Sequence, residues 1–171
     1  MVEAQDSTRA TARTTLPWAV LLVLVVIVGL GVRDEPLRHR CLQSVLILTA
    51  MAEAMAGFMY VFKARRMAER AGRPYAPAYH GAMQDFGFYN LTMALLLTLC
   101  AADLAKNAVV LWAAVALYAV HGGTHVLRYF GFYYGGETRI PTRPRDLELR
   151  DGLQLVVALA AMIVFYPSAI R

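Results

Sequence analysis

From Leu16 to Val32 the chain runs seventeen residues without a charge, twelve of them Leu, Val or Ile, and mostly apolar runs follow at about 41–64, 78–102, 108–133 and 153–165. A chain of 171 residues has no water-shielded interior large enough for five such segments. Lipid is the solvent that accepts them, and inside lipid every backbone amide must be satisfied within its own segment, which selects helices. The expected fold is an all-α polytopic transmembrane helical bundle of five spans: Leu16–Val32, Cys41–Ala64, Ala78–Ala102, Ala108–Tyr133 and Leu153–Phe165. With 58% hydrophobic residues and a mean hydropathy of +0.47, the chain is more apolar than soluble domains generally are.

Residues 1–15 are polar and lack a hydrophobic period, so they are expected as a disordered cytoplasmic tail, and 16–171 as a single transmembrane domain. The Leu16–Val32 run is longer than most signal-peptide cores, which favours a retained anchor over a signal peptide. The fifth run is only thirteen residues long and barely spans. Lys and Arg divide eleven to five between the two sides of a five-span arrangement, which places the N-terminus in the cytoplasm of a multi-pass protein of a bacterial inner membrane. The same scattering of the net +5 charge between apolar runs reads as topology signal and not as a nucleic-acid surface. Cys41 and Cys100 have no CxxC or ligand spacing, and free buried thiols are the expectation.

Polar residues inside the spans are the functional signal, because each is costly in lipid without a partner. In the second span Glu53, Gly57 and Tyr60 follow at steps of four and three; in the third, Asp85, Tyr89 and Thr92 do the same. In the fourth, Tyr118, His121, His125 and Arg128 share one face. Compared by depth, Glu53, Tyr89, Asn90 and His121 form a middle layer, with Tyr60, Asp85 and His125 a turn nearer the cytoplasm and Lys63, His80 and Arg128 at the rim. Three polar seams imply one interior shared by the second to fourth spans. Met51, Met55 and Met59 form a further stripe, which reads as packing filler in a helix interface.

Four readings of this interior stay open. It is an interhelical hydrogen-bond network and nothing more; or a pocket for a lipophilic molecule such as a quinone or an isoprenoid or sterol-like lipid; or an acid–base site acting on a lipid; or a metal or haem site on His121 and His125. The candidate catalytic groups are Glu53, Asp85 and His121, and the candidate ligand-binding groups Tyr60, Tyr89, Asn90, Tyr118, His125 and Arg128. No metal site is assigned: His121 is followed by Gly122, so the His-Glu-x-x-His helix is absent. No cofactor is specified, and the expected partners are the lipid membrane, a lipophilic ligand, and a larger membrane complex or further copies of the chain. There is no phosphate-binding glycine loop, no Gly-x-Ser-x-Gly elbow and no repeated half.

The run Gln84-Asp85-Phe86-Gly87-Phe88-Tyr89-Asn90, an apolar stretch, a short turn and then Tyr118-Ala119-Val120-His121-Gly122-Gly123 resembles the small DoxX-like and related bacterial membrane proteins. There, a polar Asn-containing helix precedes one with a small-residue His motif. The resemblance covers the middle half of the chain and implies a small membrane bundle; no catalytic motif transfers with it.

Overall fold

The computed structural model describes residues 2–70, 80–132 and 145–167. Six helices, α1 Val2–Gly31, α2 Glu35–Phe62, α3 Ala64–Arg70, α4 His80–Ala102, α5 Ala108–Tyr129 and α6 Arg145–Val164, make up the described residues, which contain no strand. Three of them, α2, α4 and α5, are long and apolar enough to cross a membrane; the apolar part of α1, Thr15–Gly31, is shorter. Arg73, Pro74, Pro77 and loop residues 135–144 lie outside the described residues.

Helix ends differ from the expected spans for local reasons. α1 begins at Val2 and so takes in the segment expected as a disordered tail; no glycine or proline precedes Pro17 to interrupt it. α2 begins six residues before Cys41, because Asp34 accepts a hydrogen bond from the Leu37 amide at 2.8 Å and Pro36 occupies the first turn. The stretch between the second and third expected spans, Arg65 to Pro77, reads as a basic loop, and part of it is the short helix α3. α5 stops at Tyr129 because Gly131 turns left-handed at φ 89°, while the Phe132 amide donates back to the Leu127 carbonyl. α6 starts eight residues before Leu153, with Glu148, Arg150 and Asp151 in its first turns.

The helices alternate in direction. At one end of the bundle, Gln43 of α2 donates to the Ala101 carbonyl of α4 at 3.0 Å, and Trp112 of α5 packs on Tyr166 just past α6 at 5.2 Å between centroids. There too Arg38 donates to the Val164 carbonyl at 2.5 Å, closing the C-terminus of α6, and Gly29 of α1 touches Val164. The same end holds the free thiol of buried Cys100. The apolar core fills this half: Leu42, Leu46, Met93, Leu97, Leu111 and Met162 are all 2% exposed or less. Tyr118 is the last core residue of α5 along the chain, and beyond it the interior turns polar.

Two close helix crossings carry the other half. On α2 and α4, Gly57 and Gly87 face each other so tightly that a Cβ on Gly57 would stand 2.8 Å from the Gly87 carbonyl oxygen. On α5 and α6, Gly122 and Gly152 meet, and a Cβ on Gly152 would lie 3.2 Å from the His125 Cβ. Small residues let these backbones approach where apolar side chains gain nothing by leaving lipid. The outcome is a tight α2–α4 pair and a second group in which α6 packs on both α5 and α1, the two meeting less extensively along α4 and α5. Met51 and Met55 do not fill an interface as the stripe suggests; they are 63% and 69% exposed, on the side of α2 away from α4.

Candidate functional site

Glu53 sits on α2 one turn before Gly57, on the flank turned towards α5. The hydroxyl of buried Tyr118 donates to Glu53 Oε1 at 2.5 Å, a hydrogen bond that ties α2 to α5 across 65 residues of sequence. Tyr89 of α4 lies close enough to act electrostatically on both. Glu53 and Tyr89 remain half-buried, so this cluster is open along one side. Asn90, one residue on, is 4% exposed and faces the packed side of α4.

One turn further along α5, His121 and His125 approach each other, Nε2 to Nε2, at 3.3 Å. The Nδ1 of His125 lies 2.6 Å from Glu148 Oε2, and both side chains are buried. Depth along the spans pairs His125 with Asp85; the partner is instead Glu148 of α6, brought there by the Gly122–Gly152 crossing. Asp151, also on α6, acts electrostatically on His121, as does Arg128.

Phe86 joins the two clusters. Its ring stands edge-on to His121 at 5.8 Å and to Tyr60 at 5.0 Å, and stacks with Tyr89 at 6.0 Å. Nothing in the seam pattern singles it out, because an apolar ring beside Asp85 looks like an ordinary lipid-facing residue.

Of the sequence-derived residues, Glu53, Tyr118 and Tyr89 come together as one cluster, His121 and His125 as another, and Tyr60 borders both through Phe86. Asp85 does not join them: it is exposed and has no hydrogen bond or ion pair with either cluster, and Thr92 is also exposed, its hydroxyl donating to the Phe88 carbonyl of its own helix. The steps of four and three that align Asp85, Tyr89 and Thr92 fix one face, but the Gly57–Gly87 contact sets which way it turns, leaving Tyr89 at the edge of the groove. Arg128 is half-buried beside the histidine pair. Glu148 and Asp151 are the groups that the seam pattern misses, since a charged stretch between Pro144 and an apolar run reads as a surface loop; the unbroken helix-forming pattern Asp-Leu-Glu-Leu-Arg-Asp is the available signal.

Chemically, the second cluster is a line of three groups with a hydrogen between each pair. If His125 donates from Nδ1 to Glu148, its Nε2 accepts from His121 when neutral and donates to it when charged. Such a line can hold a proton at either end. Among the described residues no group of three or more His, Cys, Asp or Glu is placed to hold a metal ion; Glu148 lies on the Nδ1 side of His125, away from the paired Nε2 atoms.

Comparison of the chain with protein-family models, with curated protein sequences and with solved structures finds no match.

Proposed function

We propose that this is a multi-pass membrane protein, with its N-terminus in the cytoplasm and α1 and α6 crossing alongside α2, α4 and α5. In this reading the groove between the α2–α4 and α5–α6 pairs binds the polar head of a lipophilic molecule: a quinone, or an isoprenoid or sterol-like lipid. The observation that carries it is the Glu53–Tyr118 hydrogen bond with Tyr89, Phe86 and His121 around it. A network that serves only to hold helices would be sealed; Glu53, Tyr89 and His121 are each half-open instead. A carbonyl or hydroxyl head placed there meets a carboxyl, two phenols and an imidazole, with aromatic rings to hold the adjoining apolar body. The likeness to DoxX-like proteins belongs to this proposal as a likeness of helix pattern.

Mild purification followed by mass spectrometry of the co-purifying lipids tests it. One lipid class should be enriched over the bulk membrane, and Tyr118→Phe should release it. A lipid profile equal to the bulk in both proteins would sink the proposal.

The line His121–His125–Glu148 favours a second reading on one point: it is built to move a proton, which binding alone does not need. An acid–base enzyme acting on the bound lipid would exchange carbon-bound hydrogen with solvent. Incubating the protein and its lipid in deuterated water should then add deuterium, and Glu53→Gln should stop it while leaving the lipid bound. No deuterium uptake leaves the binding reading standing alone.

A further inference from the structure

Where α2 gives way to α3, at the end of the bundle opposite Arg38, an open cavity of about 430 Å³ is lined by Phe62, Lys63, Arg65, Arg66, Glu69 and His80. Arg65 is held by Glu69 through Nε to Oε1 at 3.0 Å, so the acidic residue already has a cation. Lys63 and Arg66 are exposed beside it, which leaves the cavity with an excess of positive charge. The helix breaks at Lys63, whose backbone is non-helical at φ −135° and ψ 36°, and α3 with its basic residues begins directly after it at Ala64.

A second observation continues from the cavity. Down the outer side of α2 run Phe62, Phe58, Met55 and Met51, 63%, 54%, 69% and 63% exposed, with the two phenyl rings 4.7 Å apart. The opposite side of α2 is buried through Ala50, Gly57 and Val61. From Met51 to Phe62 the lane rises about 16 Å at 1.5 Å per residue, close to half of a hydrocarbon core about 30 Å thick. A basic cavity at the rim and an apolar lane one leaflet long lie on the same helix.

We propose that this cavity and lane form a binding site for an anionic glycerophospholipid, its phosphodiester against Lys63 and Arg66 and an acyl chain along Phe62, Phe58, Met55 and Met51. A free phosphate would use the cations and leave the lane without a role, so the lane selects the lipid. The site is separate from the groove around Glu53.

Native mass spectrometry of the full chain in mild detergent, offered phosphatidylglycerol and phosphatidylcholine of equal chain length, tests this. Phosphatidylglycerol should be retained at least about tenfold more than phosphatidylcholine, since each basic residue near an anionic headgroup adds appreciably to the attraction. Lys63→Ala with Arg66→Ala should remove that preference, Arg66→Lys should keep most of it, and Arg40→Ala at the other end should leave it unchanged. Equal retention of the two lipids by the unaltered chain overturns the proposal, as does a preference that survives loss of Lys63 and Arg66. Loss of preference in Arg40→Ala to the same degree would reduce the effect to net charge and overturn it too. Millimolar inorganic phosphate should not displace the lipid; displacement would assign the cavity to free phosphate and refute the lipid site.

Discussion

Tyr118 stands at the boundary between the apolar core and the polar interior, and its hydroxyl satisfies a carboxyl that lipid alone could not. Removing that hydroxyl by Tyr118→Phe should destabilise the bundle by about 0.5–2 kcal/mol, the range of interhelical hydrogen bonds in membranes. A double-mutant cycle with Glu53→Gln, read by unfolding in detergent, checks it: strict additivity would mean that the two groups do not depend on each other. At the turn between α4 and α5, Asp103 accepts the Lys106 amide at 3.1 Å and lies 3.2 Å from its ammonium. The amide first, and then the Lys106 side chain, hold the Asp103 carboxyl below its ordinary value of 3.8. A folded value below the unfolded one contributes stability above the unfolded value and loses it as pH falls through the folded one. Asp103→Asn should therefore lower the unfolding midpoint near neutral pH, and the gap to the unaltered chain should close as pH falls through the lowered folded value of the carboxyl. A gap that persists unchanged into acid would show that the carboxylate charge is not what matters there.

Among the helices, glycine decides which faces meet. Gly57→Ala drives a methyl group against the Gly87 backbone oxygen at 2.8 Å, an atom that cannot rotate away, so α2 and α4 must separate. The expected loss is about 1–3 kcal/mol, with a lowered unfolding midpoint in detergent. A methyl group on Gly123 would meet nothing within 4 Å, and Gly123→Ala should be neutral or gain up to about 1 kcal/mol from helix propensity. Equal effects at the two positions would refute the crossing. The same contrast explains what is legible in the sequence. Apolar run length locates α2, α4 and α5, and helical spacing puts Tyr118, His121 and His125 on one face. Rotation about the helix axis is not legible, because it is set by backbone approach at Gly57–Gly87 and Gly122–Gly152, which depends on a partner helix. Spacing accordingly groups Asp85 with the catalytic candidates although it stands apart from both clusters, and it leaves Glu148 in a surface loop although it lies inside against His125.

For the molecule as a whole, the proposed number of crossing helices turns on α6. Its twenty residues rise about 30 Å, a bilayer's hydrocarbon thickness, although its first turns carry Glu148, Arg150 and Asp151. α6 lies antiparallel to α5 over the same height: Glu148 meets His125 near one end, and Tyr166 meets Trp112 at the other. Under the proposed five-span topology a helix level with α5 at both ends crosses alongside it, and Glu148 near its first turns is partnered by His125. The C-terminus of α6 then lies on the side of Arg38, opposite α3, where Arg38 reaches the Val164 carbonyl. A reporter fused after Arg171 should accordingly read out on the same side as one inserted between α1 and α2 at Arg33, and on the opposite side from one placed at Arg66 in α3. A fusion at Arg171 that reads with Arg66 would leave α6 lying along the membrane surface, and the His125–Glu148 contact could not form at the depth the bundle gives it.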